Sequence, residues 1–203
     1  MEDIRNASGE IIYHAIAHGN PGWNDLSGLC LVEANLQEAD LSGMRFLDTD
    51  LSGADLFGAN LGFMRLGNAK LRDANLRTAK FDCTDLYFAS LSGADLCYAS
   101  FDDVELKGTI LTYADLKETS FLDVDFTDAE LSGAVLGRTR FMFCRNLHKA
   151  EGLAHIKHDS PSAIDRETLR ASIHALPDVF LSGVGYSDHE IRVLRDLYPP
   201  GSI

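Results

Sequence analysis

Three groups of residues carry side chains that could do chemistry. Glu151, His155 and His158 would supply a carboxylate and two imidazoles to one helical face, the makings of a zinc site. Gly152, Lys157 and the nearby Pro161 argue against a long helix there, so these histidines read as surface groups beside a loop. His14 and His18 have i, i+4 spacing but no third ligand. Cys30, Cys83, Cys97 and Cys144 are scattered without CxxC spacing, which argues against a disulfide framework or zinc site and suits a reducing cytoplasm. No Ser/His/Asp or Cys/His set has a recognisable neighbourhood, and no Gly-rich loop could cradle a phosphate. No catalytic residue, metal or cofactor is assigned, and an enzyme is not expected.

The third group is the carboxylates. Net charge is −13, and residues 24–143 hold twenty acids against ten bases. That balance argues against direct contact with nucleic acid or an anionic membrane, which need a basic face. Met1–Glu10 has no apolar core of a signal peptide, and no apolar run approaches the ~18 residues of a membrane span. Asp recurs between Ala and Leu, where its side chain can hydrogen-bond a turn backbone, so no single pair reads as an acid/base couple.

The element that must position these carboxylates is set by a period of five. From Leu26 to Phe141 every fifth residue is Leu or Phe, which makes 24 centres in unbroken phase. Two positions earlier the residue is mostly small, as in Ala54-Asp55-Leu56 and Ala94-Asp95-Leu96. Five residues advance a helix by ~500°, so the leucines would wander around it. On a flat strand an odd step reverses the side chain each time. Only a chain that turns a corner in every repeat, and stacks its coils by backbone pairing, keeps all centres inward. Phe46 and Phe126, and Phe81, Phe101, Phe121 and Phe141, fall into two columns if four repeats make one coil. Leu29, Met44 and Met64 replace the small residue and are expected to swell the coil locally; Asn24 also departs from the pattern.

Ala54-Asp55-Leu56, Ala59-Asn60-Leu61, Ala74-Asn75-Leu76 and Ala94-Asp95-Leu96 resemble the signature of the pentapeptide-repeat family. The resemblance implies an all-β solenoid, a right-handed quadrilateral β-helix of about six coils. Three segments are expected: an N-terminal cap (1–23) with a short helix over Gly9–His18 and Trp23 packed on the first coil, the solenoid (24–143), and a small helical subdomain (144–203). In the last segment Ser162-x-x-Asp165 and Ser187-x-x-Glu190 signal helix starts, and Leu176–Gly185 reads as a packed connector. Gly152-Leu153, His158, Pro161-Ser162, Ile164-Asp165, Thr168-Leu169, Ser172 and Leu176–Gly185 resemble a segment that joins pentapeptide repeats to Toll/interleukin-receptor domains in bacterial proteins. The chain stops at Tyr198–Ile203, where such a domain would begin, so the resemblance implies the sensing or scaffolding half of such a system.

Stacking at twenty-residue spacing places Asp85, Glu105 and Asp125 in one column, with Asp82 and Asp102, Asp103 and Asp123, and Asp95 and Asp115 in others. Arg65, Lys70, Arg72, Arg77 and Lys80 form a basic belt. Phe57, Phe63, Tyr87, Phe88, Tyr98 and Tyr113 are expected to point outward. A protein partner is expected on Asp102, Asp103, Asp123, Glu105, Asp125, Phe88, Tyr98 and Tyr113. A homodimer is expected through Val179, Phe180, Leu194, Leu197 and Tyr198. The family resemblance also implies an alternative, an acidic DNA mimic that occupies gyrase and protects it from quinolones.

Overall fold

The computed structural model describes residues 25–200 and the backbone of Asp3–Arg5 and Ile11–His14. One backbone event repeats throughout the solenoid. The second residue after every centre, from Gly28 to Phe143, has φ between about +50° and +75°, the left-handed region. In most repeats the centre's carbonyl accepts from the amide three residues on, as from Ala34 to Leu31 at 3.1 Å and from Ala59 to Leu56 at 3.0 Å. Each pentapeptide is thus one arm and one corner, and four corners close a coil. Parallel bridges then join i to i+20: the column from Asp25 through Arg45, Arg65, Asp85, Glu105 and Asp125 to Arg145 climbs six such steps.

The corner after the Phe81, Phe101 and Phe121 column lacks that turn hydrogen bond, and its flanks widen into true strands. Here β3 (Lys80–Asp82), β4 (Ser100–Asp102), β5 (Ser120–Leu122) and β7 (Arg140–Met142) pair in parallel, with β6 (Val135–Leu136) on the neighbouring side. The four rings stack along the axis at centroid distances of 4.4, 5.0 and 5.4 Å. The inward positions that follow them are Thr84, Val104, Val124 and Cys144, bulkier than the usual Ala.

Every centre is buried, as are nearly all of the small positions. Where Thr replaces Ala, its hydroxyl donates to the carbonyl of a centre one coil below: Thr49 to Leu26, Thr84 to Leu61, Thr109 to Leu86, Thr119 to Leu96 and Thr139 to Leu116, at 2.7–2.9 Å. A polar atom in the core is thereby satisfied by the solenoid's own stacking. The oversized substitutions do not all behave as expected. Met64 is fully inside and Met44 half-buried, but Leu29 is 37% exposed, on a first coil that no other described coil covers.

The solenoid does not stop at residue 143. Glu130 pairs with Glu151, Val135–Leu136 (β6) with Lys157–His158 (β8), and Arg140–Phe141 with Ala163–Ile164 (β9). The offset grows from 20 to 21, 22 and 23, because each arm of this seventh coil spans six residues instead of five. Two 3-10 turns, Leu147–Lys149 and Leu153–His155, take up the extra length and turn Leu147 and Leu153 inward. The period of five is lost while the coil remains.

Three helices lie over this coil. α1 (Arg166–Ser172) is capped by Asp165, which accepts from the Thr168 amide. α3 (Asp188–Leu197) begins with the Ser187/Glu190 capping box. The expected connector is a helix, α2 (Asp178–Val184): Pro177 sets its first turn, and Ser182-Gly183 had hidden the signal. Leu169, Ile173, Leu176, Phe180, Leu181, Val184 and Ile191 carry the hydrophobic core over the solenoid's end. At the other terminus the expected helix is corrected in part. Ile11–His14 (β2) is a strand antiparallel to Asp3–Arg5 (β1), as suits the β-branched Ile11-Ile12 pair beside Tyr13. The rest of Gly9–His18, Asn24 and Trp23 lie outside the described residues.

Gly152 opens the second 3-10 turn with φ +76°, and a Cβ there would collide with the Ser132 backbone nitrogen. Gly152→Ala is expected to destabilise the fold by about 2–4 kcal/mol, combining left-handed strain with overpacking. Thermal unfolding measures it. A change below about 0.5 kcal/mol, the size of an ordinary surface substitution, would show the seventh coil is not closed this way. Thr109→Val should cost about 1 kcal/mol, the net worth of one buried hydrogen bond, and the same unfolding curve reads it.

Candidate functional site

Aspartates occupy the position before a centre for a local reason. Asp25, Asp40, Asp50, Asp55, Asp85, Asp95, Asp115 and Asp125 each accept a hydrogen bond from the amide two residues on, at 2.9–3.2 Å. Asn35, Asn60 and Asn75 do the same. Stacked amides and carboxylates also tie coils together, as Asn60 does to Asp40 at 2.9 Å and Asn75 to Asp55 at 2.8 Å. Hydrogen bonds from Ser27, Ser42 and Ser52 hold Asp25, Asp40 and Asp50 below the usual carboxylate range. These acids are parts of the fold.

A second set gathers on one corner and overlaps the first at Asp85 and Asp125. Asp82 and Asp102 adjoin across β3 and β4, while Asp103 and Asp123 occupy left-handed corner positions of successive coils. Asp85, Glu105 and Asp125 rise on the side that leaves this corner. The column ends in Arg145, whose Nε lies 3.3 Å from Asp123, and in Asn146, which donates to both Asp125 oxygens at 3.0 and 3.1 Å. Asp82, Asp85, Asp102, Asp103 and Glu105 have no ion pair among the described residues. The carboxylates are therefore gathered as expected, at coil spacings of ~4.8 Å.

The expected aromatic part of the surface is not brought together. All six aromatics are exposed, from 38% at Phe57 to 68% at Tyr113. With four corners per coil, however, residues ten apart stand on opposite corners. Phe88 therefore faces away from Tyr98, and Asp103 from Tyr113. Phe88, with Tyr87 at 4.1 Å and Lys107 over the Tyr87 ring, closes the far edge of the acidic side and is contiguous with it. Tyr98 lies across the solenoid under the Arg77 guanidinium, at 5.5 Å. The rings of Phe88 and Tyr113 also lie flat on Gly108 and Gly133 one coil on, where a Cβ would strike them. Those aromatic–glycine pairs, Phe88/Gly108 and Tyr113/Gly133, stand at twenty-residue spacing and are legible in the sequence.

The basic belt is largely engaged within the fold. Lys70 reaches Asp50 at 3.4 Å, Arg77 reaches Asp95 at 3.3 Å, and Arg72 donates to Ser90. The apolar set on the C-terminal helices also divides. Phe180 is fully buried against Phe141 and cannot join a dimer surface; Leu194 and Tyr198 are half-buried, with Arg166 donating to the Tyr198 hydroxyl at 3.1 Å. Val179 and Leu197 remain exposed.

The histidines do not converge on a metal. His155 is exposed on its 3-10 turn, whereas both ring nitrogens of His158 are enclosed and unpaired. Among the described residues, Asp95, Cys97 and Asp115 do place ligand atoms within 4.8 Å of one another. Arg77 and Lys117 hold those two carboxylates, and burial, followed by the adjacent acids, pushes the Cys97 thiol up to about 12. Burial likewise pushes Cys144 up to about 12. His148 Nδ1 stands 3.2 Å from the Ser172 hydroxyl, but Ser172, at the end of α1, is only 2% exposed, where a substrate has no access. No described helix is long and apolar enough to cross a membrane.

The pentapeptide-repeat family model matches residues 34–73, 65–96 and 99–138 in eight copies, and the chain belongs to that family. No curated protein matches it. Among solved structures it is similar to HetL, a pentapeptide repeat protein involved in heterocyst differentiation regulation in the cyanobacterium Nostoc: 25% identity, 76% of this chain and 77% of that one, TM-score 0.40. Full-length QnrB1, a plasmid-mediated fluoroquinolone resistance protein, gives 16% identity over 85% and 98% of the two chains, TM-score 0.48. A thylakoid-lumen pentapeptide repeat protein of Arabidopsis thaliana gives 26% identity over 66% and 74%, TM-score 0.39.

The carboxylate shifts set a pH dependence. Asp25, Asp40 and Asp50 have folded-state values below 3.8, so their contribution is full above about pH 4 and is lost as pH falls through the folded values. Acid titration followed by circular dichroism should show the solenoid losing stability below about pH 4. Asp50→Asn should weaken that dependence, because the amide oxygen keeps the Ser52 contact without titrating. An unchanged acid profile in Asp50→Asn would assign the dependence elsewhere.

Proposed function

We propose that this chain is a non-enzymatic docking module whose solenoid presents an acidic corner to a basic protein surface. One observation carries the reading: Asp82, Asp85, Asp102, Asp103 and Glu105 are packed at coil spacing and make no ion pair among the described residues. Like charges ~5 Å apart repel by about 1 kcal/mol even in water. Elsewhere on the same solenoid Asp25, Asp50, Asp95, Asp115 and Glu118 each have a basic partner. A cationic partner would relieve the repulsion and, with Phe88 and Tyr87 at the edge, find aromatic contact beside it. The resemblance of the tail to the segment preceding Toll/interleukin-receptor domains suits a bacterial signalling or defence assembly, working in the cytoplasm. The C-terminal helices, with Val179 and Leu197 outward, offer a homodimer contact.

A gyrase-directed DNA mimic is the second reading, favoured by the same rise of carboxylates along the axis. Arg65 stands in the column below Asp85 and Arg145 above Asp125, so the acidic run covers only three coils, which is short for a duplex replica.

Asp102→Lys with Asp103→Lys tests the proposal, because both side chains are exposed and the backbone is unaltered. Captured basic partners should lose at least about tenfold in affinity, while Tyr113→Ala on the opposite corner leaves them unchanged. Equal binding by both variants would remove the acidic corner as the site. Gyrase supercoiling with the protein titrated in, with and without a fluoroquinolone, separates the second reading: inhibition or protection lost on charge reversal would favour the mimic.

A further inference from the structure

His158 pairs with the centre Leu136, as Ile164 pairs with the centre Phe141, and so takes a centre's place on one side of the seventh coil. On the two preceding sides the register positions are Asn146 and Gly152, and the next residues, Leu147 and Leu153, fill the core, so His158 is the polar ring among these inward groups. Its imidazole points under α2. The ring lies edge-on to Phe180 at 5.8 Å, and Gly183 sits so close that a Cβ there would fall inside van der Waals contact of three ring atoms. A glycine inside a helix gives up about 1 kcal/mol relative to alanine, so its presence here is explained by the ring. Both ring nitrogens are shut off from solvent and neither has a hydrogen-bond partner. A neutral imidazole has one N–H, and leaving it unpaired already weakens the contact.

We propose that His158 is an acid-sensitive latch, whose protonation releases α2 from the end of the solenoid. The second proton would add a full charge and a second unpaired donor between α2 and the seventh coil, which is far costlier than the neutral ring. No surrounding group offers compensation. β6 contributes only Val135 and Leu136. α2 contributes Asp178, which is turned to Arg195. The neighbouring 3-10 turn contributes His155, and β8 and its flank Lys157 and Asp159, all three exposed and none paired with the imidazole. Burial alone accordingly holds His158 below its ordinary 6.5.

The sign follows from linkage. With the docked-state value depressed, the undocked state binds more protons, so docking weakens as pH falls below about 6.5 and levels off beneath the docked value. For one proton the undocking constant rises by at most tenfold per pH unit. This window lies above that of the solenoid aspartates, so α2 should open while the coils stay closed. Opening would uncover Phe141 and Ile164 at the solenoid's end, a change of surface that mild acidity alone could drive.

Hydrogen exchange on the whole chain tests this, with rates divided by the intrinsic rate at each pH. Between pH 7.5 and 5.5 the protection of the α2 amides Leu181 and Gly185 should fall severalfold, to a limit of about tenfold, while Leu91 and Leu96 in the coils hold theirs. His158→Leu should abolish the α2 change. The wild-type His158 ring resonances, followed by NMR, give a second reading that needs no variant, and should titrate below 6.5 in step with α2 opening. A ring that titrates at or above 6.5, or α2 protection that is flat in pH or equally pH-dependent in His158→Leu, would overturn the latch.

Discussion

Everything in this molecule depends on one backbone constraint: a left-handed residue every fifth position, with coils paired at a step of twenty. The corner fixes which side chains face inward, and the pairing fixes which outward ones are neighbours. Most corner residues are not glycine; Phe63, Phe88, Tyr98 and Tyr113 all hold the conformation that an L-residue ordinarily avoids. The cost recurs in each repeat, and it is offset by corner amides that pair with carbonyls nineteen residues on and by a core without gaps in phase. The Asp and Asn side chains that accept the next amides are part of the same solution, because they give each arm a local hydrogen bond before the next coil arrives.

That constraint also explains what could be read from the sequence. A period of five is incompatible with helix and strand alike, so the solenoid, its four-sided section and the acidic columns followed from spacing alone. The phenylalanine columns were legible for the same reason, since a ring can only stack on a ring if the step is twenty. Reading failed wherever information was not periodic. Which corner a residue occupies was computable, but Phe88 and Tyr98 were grouped by type rather than by position, and the two face opposite ways. The seventh coil was missed because six-residue arms erase the phase while leaving Leu147, Leu153 and Ile164 to fill the core. α2 was missed because Gly183 answers to a histidine ring twenty-five residues earlier, a demand no local propensity contains. Phe180 was assigned outward for want of that same tertiary partner.

The carboxylates divide by what satisfies them. Most of those before a centre accept backbone amides and several a guanidinium or ammonium as well, and at Asp25, Asp40 and Asp50 hydrogen bonds hold the carboxyl below its usual range. Those on the corner beside β3 and β4, Asp82, Asp102 and Asp103, accept no backbone amide on their side chains among the described residues, and the Asp103 carboxylate meets the Cys83 thiol. The same residue type thus serves the fold in one column and is left for solvent or a partner in the next. Net charge could not reveal this, because it sums both sets.

The end of the solenoid applies the same logic in reverse. A coil that keeps the five-residue arm exposes a template on which another coil, or another copy, could pair. Stretching each arm by one residue slides the register from 20 to 23 and follows the left-handed Asn146 and Gly152 with 3-10 turns, so the seventh coil matches the sixth but no longer presents a regular template beyond itself. α1 and α2 can then lie on it with Leu169, Phe180 and Val184 inward. Termination is therefore written into arm length first and into helices second. The helices hold on to a coil that already differs from the rest, which is why a single polar ring at a centre position bears on the attachment of α2 without threatening the coils beneath it.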